Sequence, residues 1–166
     1  RTKSEEAGLS GLCKRFSKVL DKSVKDIYPP YKSQWNDWKL GHKTMDEVYD
    51  SFLSSINSNY PKEKLIDITL NYASLDQEVY NLVIKLKKNY KIVCLTNHVK
   101  EWFESEARRF NLDKLFEKIY TSYDLKIDKP HPEAYKKVLR DLKVKPEECL
   151  FIDDLERNTS TANQLG

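Results

Sequence analysis

Three short apolar runs, each ending in polar residues, constrain the fold more than any other feature of the chain. They are Lys91-Ile92-Val93-Cys94-Leu95-Thr96-Asn97, the stretch from Lys118 to Tyr123, and Cys149-Leu150-Phe151-Ile152-Asp153-Asp154. Runs of this length read as buried parallel strands whose carboxyl ends open into a site. Helical patterns alternate with them. Ser74 to Asn89 opens on the capping-box signature Ser74-Leu75-Asp76-Gln77. Val99 to Phe110 follows the first run. Pro130 and Pro132 start a helix with Tyr135, Val138, Leu139 and Leu142 on one face, and Glu156 to Leu165 closes the series. Strands alternating with helices predict a parallel sheet with helical crossovers, an α/β fold of Rossmann-like type over residues 74–166.

Residues 1–73 read differently, as a small all-helical lobe with linkers. Leu9, Leu12, Phe16, Val19 and Leu20 recur at helical spacing. Tyr28-Pro29-Pro30 is expected to break the chain, with a short helix from Ser33 to Leu40 after it. Gly41 supplies a stop, and Thr44-Met45-Asp46-Glu47 is a capping box for a helix carrying Met45, Val48, Phe52 and Ile56. Tyr31, Trp35, Trp38, Tyr49 and His42 add aromatic surface here, and packing is the favoured reading for each.

The balance of 39% hydrophobic and 33% charged residues is that of a folded globular chain. Its 29 basic and 26 acidic residues leave a net charge of only +3, spread along the chain. A solvated mixed surface follows, with no nucleic-acid partner. No apolar run approaches the roughly 20 residues that cross a bilayer, so no membrane partner is expected. The opening Arg-Thr-Lys-Ser-Glu-Glu does not read as a signal peptide. Cys13, Cys94 and Cys149 are odd in number and far apart, without zinc-like spacing. Free thiols are expected, buried for the two in apolar runs, and with them a cytoplasmic location.

In open parallel sheets, ligands bind beyond the carboxyl ends of the strands. Thr96-Asn97, Lys129-Pro130 and Asp153-Asp154 all fall there. Each has a bland reading. Thr96 or Asn97 could cap the next helix, Lys129 could be a surface residue, and the aspartates could serve a helix N-terminus. Together they have a chemical logic. Hydroxyl and amide donors hold phosphate oxygens, a lysine neutralises phosphate charge, and paired carboxylates suit Mg2+.

At these residues the chain resembles the haloacid dehalogenase superfamily, and within it the phosphatase-like group that includes the N-terminal domain of soluble epoxide hydrolases. Leu95-Thr96-Asn97 resembles the second motif. Asp124 to Tyr135, around Lys129-Pro130, resembles the third, and Phe151 to Asn158 the acidic fourth. The lobe before residue 58 resembles the superfamily's helical cap. The resemblance implies phosphate contacts from Thr96 and Asn97 and transition-state charge stabilisation by Lys129. It also implies direct Mg2+ ligation by Asp154, with Asp153 beside it, and a supporting role for Asn158. A small phosphorylated metabolite would be the substrate, hydrolysed through an aspartyl-phosphate.

The superfamily's first motif, a strand ending in Asp-x-Asp, has no match in residues 1–10, and Asp67-Ile68-Thr69 does not replace it. The sheet is therefore expected to be incomplete. Omitted sequence, strand exchange or homo-oligomerisation would each complete it. Two other functions compete on these residues: a binding or regulatory protein that kept the scaffold without turnover, and a 2-haloacid dehalogenase.

Overall fold

The structure, a computed structural model, describes residues 8–166. Residues 1–7, which belong to the expected lobe and to the stretch without Asp-x-Asp, lie outside the described residues. Helix α1 (Gly8–Leu20) turns Leu12, Cys13, Phe16 and Leu20 inward. Helix α2 (Val24–Ser33) starts at Ser23, whose hydroxyl accepts from the amide of Asp26. Contrary to the expected break, α2 runs through Pro29 and Pro30. Each proline removes a helical N–H donor and opposes the helix, but packing on the two sides of the pair holds it. Ile27 is fully buried, and Tyr31 stands edge-on against Phe16 and Phe52 with its hydroxyl 3.0 Å from that of Tyr49.

Helix α3 (Trp35–Lys39) ends in a turn where Gly41 has a φ of +69°. Helix α4 (Met45–Ser55) begins on the predicted capping box: Thr44 Oγ1 accepts from the Glu47 amide, and the Glu47 carboxylate accepts from the Thr44 amide at 2.8 Å. Helix α5 (Lys62–Leu70) escapes the sequence reading. Its apolar Leu65, Ile66, Ile68 and Leu70 fit a helical and an alternating period alike, and only Leu65 and Thr69 are buried. The Thr69 hydroxyl donates to the Leu65 carbonyl and also meets the Tyr49 hydroxyl, which completes a buried polar chain inside the aromatic core. One apolar cluster joins these five helices and takes in Val99 and Trp102 from further along the chain.

Helix α6 (Gln77–Leu86) is capped by Asp76 and not by Ser74; the Asp76 carboxylate accepts from the amides of Glu78 and Val79. Strand β1 (Val93–Thr96), helices α7 (Lys100–Phe110) and α8 (Leu112–Leu115), and strand β2 (Lys118–Thr121) come next. The strands pair in parallel, with Val93 opposite Lys118 and Thr96 opposite Thr121. Both carboxyl ends therefore lie side by side. Helices α9 (Ser122–Leu125), α10 (Pro132–Leu142) and α11 (Glu156–Gln164) complete the described chain, with a 3-10 turn at Pro146–Glu148.

The α/β class holds, with a sheet of two parallel strands. The third apolar run forms no ladder among the described residues, which corrects the reading of Cys149 to Asp154 as a strand. A strand exists through hydrogen bonds to a neighbour, and this run has none; Leu150 is 85% exposed and Ile152 78% exposed. Cys149 is exposed as well, and Cys94 only half-buried, so of the three thiols only Cys13 is buried. Within the run, Phe151 packs its ring 5.2 Å from that of Tyr135, and Asp153 is held by side-chain bonds.

Candidate active site

Chain geometry brings Asn97, Lys129 and Asp153 together, with Asn97 just past the end of β1. Asn97 does not cap α7, whose N-cap position is Val99 with no side-chain bond. Its amide group instead clasps the backbone of Lys129 from both sides. Nδ2 donates to the Lys129 carbonyl at 2.7 Å, and Oδ1 accepts from the Lys129 amide at 2.9 Å. The two residues are joined across the gap between the β1 end and the loop before α10. Thr96 ends β1 opposite Thr121, and its hydroxyl takes no partner among the described residues.

Lys129 is 8% exposed, far from the surface residue of the bland reading. Its ammonium donates to Asp153 Oδ2 at 2.6 Å and stands 5.3 Å above the Phe151 ring. Asp153 is equally enclosed: its other oxygen accepts from the Leu155 amide at 2.9 Å and from Asn158 Nδ2 at 2.8 Å. Burial by itself would raise this carboxyl's pKa. The bonds from Lys129, Leu155 and Asn158 outweigh it and hold the group below the ordinary carboxylate value. Desolvation pushes the Cys94 thiol up to about 11, with the Lys129 charge pulling the other way.

Asn158 lies beside this pair. It is 2% exposed, bonds Asp153, and its carbonyl accepts from the Tyr135 hydroxyl at 2.9 Å. Asp154, by contrast, is exposed. Among the described residues no group of three or more His, Cys, Asp or Glu side chains could hold a metal. The donor set nonetheless fits Mg2+, which commonly takes one or two carboxylates and completes its shell with water and substrate phosphate. Asp154 is the exposed carboxylate of the two, and both oxygens of Asp153 accept bonds.

Several contributors have no local signal in the sequence. Ser122, 1% exposed, accepts from the His98 amide at 3.1 Å and donates to the Lys39 carbonyl at 2.6 Å. Lys39 Nζ lies 2.6 Å from Asp128 Oδ2. These pairs join segments distant in sequence, and only the fold reveals them. Of the aromatics, Tyr31, Trp38 and Tyr49 are buried and pack on one another. Trp38 and His42 also border a cleft against Lys100, Tyr123 and Lys126. No helix among the described residues is long and apolar enough to cross a membrane.

A family model described as haloacid dehalogenase-like hydrolase matches residues 9–166. Pyrophosphatase PpaX of Bacillus thuringiensis (strain Al Hakam) and of Bacillus cereus (strain Q1) are each 37% identical over 140 residues, which is 84% of this chain and 51% of theirs. The chain thus spans about half the length of the curated relatives it matches. Among solved structures, a haloacid dehalogenase family enzyme of Bacteroides thetaiotaomicron, in complex with magnesium and inorganic phosphate, superposes with a TM-score of 0.81 at 24% identity, covering 93% of this chain and 81% of that one. The L-2-haloacid dehalogenase of Xanthobacter autotrophicus gives 0.67 at 15% identity, covering 96% and 69%. At these identities the likeness concerns the fold.

Proposed function

The chain belongs to the haloacid dehalogenase-like hydrolase family, and from that premise we propose that it serves Mg2+-dependent phosphate hydrolysis on small phosphorylated metabolites. The observation that carries the reading is the joint seclusion of Lys129 and Asp153 beside the Asn97 clasp. A cation held in place by an anion, next to an unpartnered strand-end hydroxyl, suits a group whose charge develops on equatorial oxygens. In this reading Thr96 and the amide of Asn97 hold phosphate oxygens, and Lys129 offsets charge on the transferring group. Asp153 keeps the lysine ammonium aimed, and Asp154 holds the metal. When bound, Mg2+ neutralises phosphate charge and orients the group for displacement. The helices before residue 73 act as the cap that shields the site and selects substrate. The nucleophile in this scheme is an Asp-x-Asp aspartate, and no Asp-x-Asp occurs in the sequence given. Three free thiols fit a reducing, cytoplasmic setting.

The test begins with the intact mass of the protein purified from its source, compared with the 19.6 kDa of this sequence. Phosphate release is then measured on that protein with pyrophosphate, the substrate in the names of its relatives, and with a panel of phosphomonoesters. Release that stops with chelator and returns with Mg2+ is the expected result. Binding of phosphate and Mg2+ without turnover would make it a binding protein, and chloride release from chloroacetate would make it a dehalogenase.

A further inference from the structure

We propose that Lys39, at the end of α3, is a positioning residue for Lys129 and ties the placement of the helical lobe to that lysine. The inference rests on the phosphate-hydrolysis reading for the role of Lys129, but its geometry stands apart from it. Lys39 reaches the site from both of its ends. Its ammonium pairs with Asp128, the residue before Lys129, at 2.6 Å, with side-chain exposures of 14% and 26%. Its carbonyl accepts from Ser122 at 2.6 Å, and the same Ser122 hydroxyl accepts from the amide of His98, the residue after Asn97. One lobe residue thereby reaches the Lys129 half of the clasp directly, through Asp128, and the Asn97 half through the Ser122 hydroxyl.

Two physical effects follow. The pair supplies the Asp128 carboxylate with its own cation, an attraction that a partly secluded setting strengthens. It also pins the loop. Asp128 is fixed outward onto the lobe while its carbonyl accepts from the His131 amide at 2.9 Å, and Lys129 is fixed inward by Asn97. Lys126 adds a second tether, donating to the carbonyls of Leu40 at 3.1 Å and Gly41 at 3.3 Å. That approach favours glycine at 41: a Cβ there would lie 2.5 Å from Lys126 Nζ, and its φ of +69° is one that glycine adopts without strain. Movement of the α3 end away from α9 breaks all four contacts and frees the loop that carries Lys129.

Lys39→Met and Lys39→Arg variants test this, read by amide hydrogen exchange over residues 126–131 and by kcat and KM for Mg2+-dependent hydrolysis of p-nitrophenyl phosphate. Lys39→Met is expected to speed exchange across 126–131 about tenfold, with exchange in α1 and α4 unchanged. It should lower kcat about tenfold with little change in KM, and Lys39→Arg should restore both. Unchanged exchange over 126–131 in Lys39→Met overturns the proposal. If α1 and α4 also exchange faster, the substitution has loosened the lobe, and Asp128→Asn decides the matter from the other side of the pair on the same criteria. Absence of turnover in the unaltered protein, with exchange responding as stated, leaves the coupling standing and removes the phosphatase reading.

Discussion

The helical lobe and the strand-bearing part hold themselves together by different means. In the lobe, Leu12, Phe16, Ile27, Val48, Tyr49, Phe52 and Leu65 are wholly removed from solvent and belong to one cluster. Past residue 73, Phe103, Leu115, Tyr135 and Val138 are buried outside that cluster, but other apolar side chains stand open. Helix α6 buries none of its residues, with Val79 and Leu82 more than half exposed, and Leu150 and Ile152 stand nearly bare. Yet the short polar bonds of the candidate site, from Asn97 through Lys129 and Asp153 to Asn158, all lie in this second part. Apolar burial sets how strongly a region resists unfolding. Reciprocal polar contacts set how well a few side chains are aimed.

The sharpest way to break this contrast is a pair of truncations. Phe52→Ala removes a fully enclosed ring that packs on Phe16 and Tyr31, and is expected to cost about 3–5 kcal/mol. Leu82→Ala, on the open face of α6, should stay within about 0.5 kcal/mol. Urea unfolding followed by tryptophan fluorescence compares them. Equal costs would mean that α6 is covered in the working protein and that the contrast ends there.

Next in size is Lys129→Met. It leaves the Asp153 carboxylate, whose side chain is 7% exposed, without its cation, at a cost of about 3 kcal/mol. The acid limb of the stability curve should change with it. Asp153 sits below its ordinary value of 3.8 in the folded protein, so its contribution is present above that value and is lost as pH falls through the folded one. In Lys129→Met the largest bond that lowers the group is gone. Its folded value should move up, so the acid loss from this group should shrink and be complete at higher pH. Unfolding midpoints measured from pH 6 down to about 3 in both proteins check this; superimposable acid limbs would show that Lys129 does not set the Asp153 titration.

How far the sequence revealed all this follows from the range of the forces involved. Local signals carried well: the Thr44 capping box, the Gly41 stop and the two strands stand where the pattern puts them, except that the second ends at Thr121 and Ser122 and Tyr123 open α9. The four residues Asn97, Lys129, Asp153 and Asn158 converge as the motif order implies. Readings failed where the outcome depends on what lies across space. The proline pair in α2 is carried by packing around Ile27 and Tyr31, which no local rule contains. The Cys149 to Asp154 run is apolar enough for a strand, but strand formation needs a partner, which its own residues do not specify. Lys39, Ser122 and Asp128 were invisible for the same reason: their chemistry arises from approach between distant segments.

The smallest expected effect tests whether aim and stability separate within the site itself. Tyr135 spans both kinds of interaction. Its ring packs on Phe151, and its hydroxyl donates to the Asn158 carbonyl at 2.9 Å. Tyr135→Phe keeps the ring contact and deletes only the hydroxyl, so the loss of stability should be about 1 kcal/mol. Asn158 is nonetheless the residue that presents Nδ2 to Asp153, which in turn orients the Lys129 ammonium. If polar reciprocity sets the aim, phosphate affinity measured by calorimetry in the presence of Mg2+ should fall several-fold in Tyr135→Phe. Leu82→Ala should leave it untouched. A phosphate affinity that follows unfolding stability alone, equal in variants of equal stability, would merge the two regions into one cooperative unit and end the distinction between them.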